Sequence, residues 1–274
     1  MRKSNSNILK YIVLMVFVFY ALIPIFIMWL SALKTNAEIS ASPFGLPEVI
    51  QWRNIIDAWS TGHFGRYVGN TFIITLPTVF LVVYISSMAG YAIGKLKFAG
   101  SKLLFYIFLI GLMIPFQAIM IPLYYLVRDM KLLGTYWAMI LPASGLGMPF
   151  GIFLMQAFFR GLPSEVMDAA RIDGCNEFNV FFRVMLPLAS PAVSTLLVFQ
   201  FMWTWNSFIM PLLLLNEDKL RPISLGLLFF KGQYTVEYNL IAAGVTIVSL
   251  PVIIVFIIFQ RQFIQGITAG ATKG

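Results

Sequence analysis

Six stretches of this chain are apolar, lack Asp, Glu, Lys and Arg, and are each long enough to cross a bilayer. They cover residues 11–33, 67–94, 103–127, 136–159, 188–215 and 238–260. A hydrocarbon core of roughly 30 Å takes about 20 helical residues. In lipid every backbone polar group must be satisfied within the protein, so continuous runs of this length are helices. Barrel strands would instead alternate apolar and polar residues over about 10 positions. The prediction is an all-α, polytopic membrane protein with six transmembrane helices. Composition agrees: only 11% of the 274 residues are charged, against about 25% in soluble domains. Too little polar surface is available to face water, and lipid must be the solvent.

Charge placement gives an orientation. With the N-terminus inside, cytoplasmic segments carry Arg2, Lys3, Lys10, Lys95, Lys97, Lys102, Arg160, Arg171, Arg183, Arg261 and Lys273, which is 11 of the 19 Lys and Arg, leaving 8 outside. Short segments weigh most in the positive-inside rule, and 1–10 and 95–102 carry three each. Both termini are therefore expected in the cytoplasm. The first run could be mistaken for a signal peptide, but it is long and no small-x-small cleavage site follows before Lys34, so it is expected to be retained. A lone cysteine, Cys175, leaves no internal disulfide, and a lone histidine, His63, offers little to a metal; no cofactor is expected.

The uncharged spans also bear on mechanism. Ion-coupled transporters place ionisable groups at membrane depth, and membrane enzymes need acids, bases or metal ligands. Neither pattern occurs, so the energy source of any transport is expected to be another chain. A phosphate-cradling G-x-x-x-x-G-K-[ST] loop is also missing from the sequence. A secondary transporter and a membrane scaffold remain the rival classes.

One segment, 162–187, differs in character. Pro163 and Ser164 read as a helix start with Ser164 as N-cap, and Glu165 puts negative charge in the first turn where the dipole favours it. Val166, Met167, Ala169, Ala170 and Ile172 alternate with Asp168, Arg171 and Asp173, and Gly174 supplies a C′ position tolerant of positive φ. A second short helix is expected from Asn176, with Pro187 before the fifth span. The pattern is a helix–Gly–helix element with an exposed face of small Ala residues and acids. It suits either a connector on lipid headgroups or a docking surface for another protein; the acids count against the first, since lipid-surface helices prefer Lys and Arg.

The run Asp168-Ala169-Ala170-Arg171-Ile172-Asp173-Gly174, followed by Leu186-Pro187, resembles the EAA loop of ABC importer permeases, in the carbohydrate or maltose-type branch. Further likenesses lie in Trp29-Leu30-Ser31-Ala32-Leu33-Lys34 at the first-span exit, in Phe64, Tyr67 and Asn70-Thr71 near the start of span two, in Trp205-Asn206-Ser207-Phe208 with Pro211, and in the Gly-Ile-Thr-Ala-Gly-Ala-Thr-Lys-Gly tail at 266–274. Asp168 stands where the family has Glu, Cys175 where Ala is frequent, and Ser207 where Glu is common. The resemblance implies a type I ABC importer permease fold and a non-enzymatic permease subunit in the cell (inner) membrane. It also implies three partners: a second, different permease, a homodimeric ATP-binding subunit in the cytoplasm, and an extracellular or periplasmic sugar-binding protein. By the same resemblance, Glu165, Asp168, Ala169, Ala170, Arg171, Asp173, Gly174 and Pro187 would form the ATPase-coupling element.

For a substrate path the candidates are Gln200, Trp203, Trp205 and Asn206, because sugars stack on indoles and pair with amides. The bland alternative has Asn206 bonding across helices and the Trp residues packing. Prolines within spans (Pro24, Pro77, Pro115, Pro122, Pro142, Pro149, Pro211, Pro251) are expected to kink helices. The expected organisation is 1–66 for the first helix and an outer segment, 67–262 for the core with its loop 162–187, and 263–274 for a cytoplasmic tail.

Overall fold

The computed structural model describes residues 2–230, 232 and 236–271, with backbone alone for 2–7 and 262–271. The orientation cue from Arg2 and Lys3 falls on side chains outside the described set. Lys273, with the 272–274 end of the tail, lies outside it altogether.

Long apolar helices dominate: α1 (Arg2–Ala32), α4 (Phe64–Lys95), α7 (Trp137–Gly161) and α14 (Tyr238–Ala271). Short α2 (Asn36–Ala41) and α3 (Arg53–Thr61) lie between α1 and α4. α5 (Ser101–Met113) and α6 (Phe116–Asp129) follow α4, while α8 (Glu165–Ile172), α9 (Glu177–Asn179), α10 (Leu186–Leu188), α11 (Ser190–Trp205), α12 (Ile209–Leu214) and α13 (Ile223–Gly226) lie between α7 and α14. Among the described residues four helices are long and apolar enough to span a membrane, and six spans result when each of two bent pairs counts as one.

The bends correct two expected spans. The third is not one rod over 103–127: α5 and α6 meet at 102°. Pro115 forces Ile114 out of the helical region, to ψ 113°, so the α5 helix cannot continue into α6. The fifth run, 188–215, also breaks. α11 stops at Trp205, capped by Asn206, and α12 begins three residues later. A 76° bend separates α11 from the segment before it. Hydropathy is continuous through both breaks, which is why composition alone merges them.

Two compact units divide the chain, one comprising Met1–Arg66 with Leu225–Leu250, the other Tyr67–Ser224 with Pro251–Gly274. In the first, Thr35 and Glu38 form a reciprocal capping box at the start of α2. The Thr35 backbone N–H, then that of Glu48, bonds the Glu38 carboxylate and holds its pKa below the ordinary value. Lys34 is only 1% exposed; its Nζ donates to the carbonyls of Ser42 (2.9 Å) and Pro43 (3.4 Å), closing the turn after α2. Asn54 Nδ2 donates to the carbonyls of Ala32 and Lys34 at the end of α1, and its Oδ1 accepts from Asn239.

In the second unit α4 crosses α7 at close range. A Cβ at Gly90 would lie 2.6 Å from Met155 Cβ, one at Gly94 would lie 3.0 Å from the Gln156 carbonyl, and one at Gly151 would strike Ser86 Oγ. Ser86, Gly90 and Gly94 recur every four residues along one face of α4, the small-xxx-small spacing that lets helix backbones approach in lipid. Around the crossing, Val82, Tyr91, Met155, Phe159, Phe181, Met185 and Leu196 form a buried cluster. Nearer the other end of α4, Ile74 packs with Met139, Ile140, Leu214 and Leu220.

Candidate functional site

The loop after α7 is built on contacts to the end of α4. Lys95 Nζ donates to the Leu162 carbonyl at the α7 C-cap and reaches Ser164 Oγ at 3.4 Å. Ser164 occupies the N-cap of α8, but its own φ and ψ are helical and its side chain caps nothing. It serves instead through its carbonyl, which accepts from Met167 and Asp168. Glu165 and Asp168 lie in the first turn, where their charge complements the dipole.

α8 has two faces. Met167 and Ala170 are buried against the cluster containing Phe159 and Phe181, whereas Glu165, Asp168, Ala169, Arg171 and Ile172 face outward. The expectation of an exposed double alanine is thus half corrected: Ala169 is exposed and Ala170 is core, because successive helical residues point about 100° apart. Ile172 is 87% exposed, an apolar tip that the sequence pattern assigned to no face.

Gly174 ends α8 with φ +82°. The Cys175 N–H bonds the Ala170 carbonyl and the Gly174 N–H bonds the Arg171 carbonyl, the paired bonds of a Schellman motif that needs a residue tolerant of the left-handed region. Asp173 is the exposed C-cap. Asn176 then caps α9 by accepting from the Asn179 N–H. A π-helical stretch, Val180–Met185, carries the chain to α10.

One residue outside the predicted set organises this loop. Glu177 accepts from Arg171 through Nε (2.8 Å) and Nη2 (2.7 Å), and from Tyr91 OH on α4 at 3.0 Å. Arg171 also pairs with Asp168 at 2.8 Å. The hydrogen bond that Arg171 donates to Glu177 is the main cause raising the guanidinium above its ordinary pKa. The signal for Glu177 was slight: an acid just after an Asn N-cap, whose partner Tyr91 lies 86 residues away. Pro187 is on α10 at the far end of the loop; it lines an apolar groove of about 500 Å³ with Phe80, Tyr84 and Phe182.

The candidate substrate-path residues separate into two groups. Gln200 is 3% exposed; its Nε2 donates to Thr204 Oγ1 (3.1 Å), while its Oε1 has no partner. Gly147 on α7 makes room for that amide, since a Cβ there would sit 2.5 Å from Oε1. Gln200, Gly147, Trp203, Thr204 and Ser207 line a cavity of about 140 Å³. Trp203, half-exposed, packs edge-to-face on Phe150. Trp205 is elsewhere, wholly buried and stacked on Phe201 at 5.3 Å. Asn206 is exposed and its Nδ2 donates to the Met202 carbonyl one turn back on its own helix, rather than across helices as the bland alternative has it. Among the described residues no cluster of His, Cys, Asp or Glu has metal-site geometry.

This arrangement of bent spans around an interhelical loop has relatives. Residues 83–269 match the family described as binding-protein-dependent transport system inner membrane component. The chain belongs to that family. It is 35% identical to the arabinooligosaccharides transport system permease protein of Halalkalibacterium halodurans, over all of both chains. It is 34% identical to the probable starch degradation products transport system permease protein of Thermoanaerobacterium thermosulfurigenes, covering 91% of each. The diacetylchitobiose uptake system permease protein of Streptomyces coelicolor is 30% identical over 92% of this chain and 84% of its own. Among solved structures, a chain of a bacterial ABC transporter that imports the acidic polysaccharide alginate superposes with a TM-score of 0.82 at 22% identity, covering 95% of this chain and 97% of that one. A chain of the inward-facing MetNI methionine ABC transporter gives 0.56 at 16% identity, over 74% and 95%. The fold is the ABC importer permease fold, and family membership makes the chain a multi-pass, non-enzymatic component of a membrane transport system.

Proposed function

We propose that this chain is a permease subunit of an ATP-driven sugar importer, forming half of the translocation pathway. Three similar proteins named for oligosaccharide or starch-product transport support the substrate class. α8 is the coupling helix: its exposed Glu165, Asp168, Ala169, Arg171, Ile172 and Asp173 meet a cytoplasmic ATPase dimer, and Gly174 sets the turn that presents them. The observation carrying this reading is the built loop itself. α8 is anchored through Met167 and Ala170, wired to α4 through Arg171, Glu177 and Tyr91, and keeps its opposite face exposed. Pro187 then redirects the chain into the membrane. Ala170 acts from the buried side, as packing.

In this reading both termini face the cytoplasm, 67–262 is the transport core, and 1–66 and 263–274 flank it. A second, different permease completes the pathway and a sugar-binding protein delivers substrate from outside. Gln200 and Trp203 are the substrate-path residues, because the unpartnered Gln200 Oε1 is an acceptor for a hydroxyl beside an exposed indole. Trp205 and Asn206 act as packing and cap.

The test is affinity purification of the tagged chain from native membranes in mild detergent, with its companions identified by mass. A second permease and an ATPase are expected, and both ATPase retention and sugar uptake should be lost in Gly174→Trp and Asp168→Lys at normal expression. Recovery of the chain alone, or as a homo-oligomer without an ATPase, would sink the proposal.

A further inference from the structure

Where α4 ends, α5 begins and α7 ends, the chain encloses a polar crevice of about 940 Å³ to which the proposed function gives no role. Its lining includes Lys95, Lys97, Lys102 and Arg160, and no Asp or Glu. Lys95 is occupied with Leu162 and Ser164. The other three are exposed and in no ion pair. That sets them apart from Arg53, Arg128, Arg171, Lys219 and Arg221, each of which pairs with a carboxylate. Cations gathered in one concavity repel one another, and an anion entering the crevice relieves that repulsion.

The position of the crevice says which anion. It opens at the ends of three helices of the membrane-embedded core, where a lipid headgroup layer lies, and Phe98 and Tyr106 are exposed at its rim as interfacial aromatics are. From it runs an apolar stripe on α5: Leu103, Tyr106, Ile107 and Ile110, each more than half exposed, at the i, i+3, i+4, i+7 spacing of one helix face. None of the residues of α5 is buried. A phosphate-binding mouth that continues into an exposed apolar stripe matches a molecule with an anionic head and acyl tails; a free phosphate would use only the mouth.

We propose that this crevice binds an anionic phospholipid, its phosphate held by Lys97, Lys102 and the bidentate fork of Arg160, with an acyl chain along the α5 stripe. Basic pockets between transmembrane helices recognise such headgroups. The site acts as a lipid clamp joining α5 to the α4–α7 crossing.

The full chain would be reconstituted in phosphatidylcholine nanodiscs with and without phosphatidylglycerol carrying a photoreactive acyl chain. Phosphatidylglycerol should raise the melting temperature, and its cross-links should map to 103–110. K97Q/K102Q/R160Q should weaken lipid binding by about two orders of magnitude, given the usual strength of a basic residue at an anionic surface, while K97R/K102R should bind as wild type does. An unchanged shift in the triple variant, or cross-links elsewhere, overturns the site. The same melting shift from inorganic phosphate or pyrophosphate in phosphatidylcholine alone overturns the lipid as occupant. Should the triple variant fail to fold, the wild-type cross-link map and K97Q alone decide. Uptake is never read in these experiments, so their failure leaves the transport proposal standing.

Discussion

The two ends of α4 hold loops in opposite ways. At one end Tyr67, Asn70 and Thr71 grip the segment 218–223. Tyr67 OH donates to Asp218, Asn70 Nδ2 donates to the carbonyls of Lys219 and Arg221, and Thr71 Oγ1 accepts from the Ile223 N–H. Asn70 also accepts from Tyr136 OH. These α4 side chains are buried and neutral, and most of the bonds run to backbone. At the other end Tyr91 and Lys95 hold the 162–177 loop through a network whose Arg171, Asp168 and Glu177 remain open to solvent. Buried neutral bonds are costly to break because their partners are left unsatisfied away from water. Exposed ion pairs are cheap to make and remake, and salt screens them. One end is held by bonds that are costly to break, the other by ion pairs that break and remake cheaply.

Attacking the rod between the ends should have the largest effect. Gly90→Val places a branched side chain into Met155 and the Gln156 backbone at the α4–α7 crossing; a loss of about 3 kcal/mol is expected, seen as collapse of the monodisperse peak in detergent. Next comes Asn70→Ala, which strands two carbonyls and the Tyr136 hydroxyl and should cost about 2–3 kcal/mol, read as a lower melting temperature with no change in its salt dependence. Tyr67→Phe removes a single bond to the half-exposed Asp218 and should cost about 1 kcal/mol by the same assay. Glu177→Gln is expected to shift melting least while reducing, with the Arg171–Asp168 pair still in place, the salt dependence the loop contributes, and under the proposed function to weaken ATPase-coupled uptake more than stability. If Glu177→Gln destabilised the fold as much as Asn70→Ala, the contrast between the ends would fail.

Much of this was legible in residues. Uncharged length located α1, α4, α7 and α14, and Pro163 through Gly174 announced a helix with its stop. What hid was angular or distant. Pro115 was visible as a kink, but not that it turns the chain by 102°, since hydropathy reports how apolar a segment is and not its direction. The break at Asn206 was hidden for the same reason. Ala169 and Ala170 look equivalent in sequence and differ only once the phase of α8 is set by Met167. Glu177 and Gly147 draw their meaning from Tyr91 and Gln200, 86 and 53 positions away, and no local pattern carries that. The glycine spacing at 90–94 and 147–151 was there to be seen; the first pair marks where α4 meets the α7 backbone, the second where side chains of Gln200 and Ser86 need room.

From Tyr67 to Lys95, α4 is a single helix of about 42 Å at 1.5 Å per residue. The loop held at Tyr91 and Lys95 and the 218–223 segment are joined through this one helix, whose interior Pro77 has no backbone N–H to donate. Pro77 is therefore the place to look for mechanical slack: Pro77→Ala should tie the two ends more tightly together without touching either.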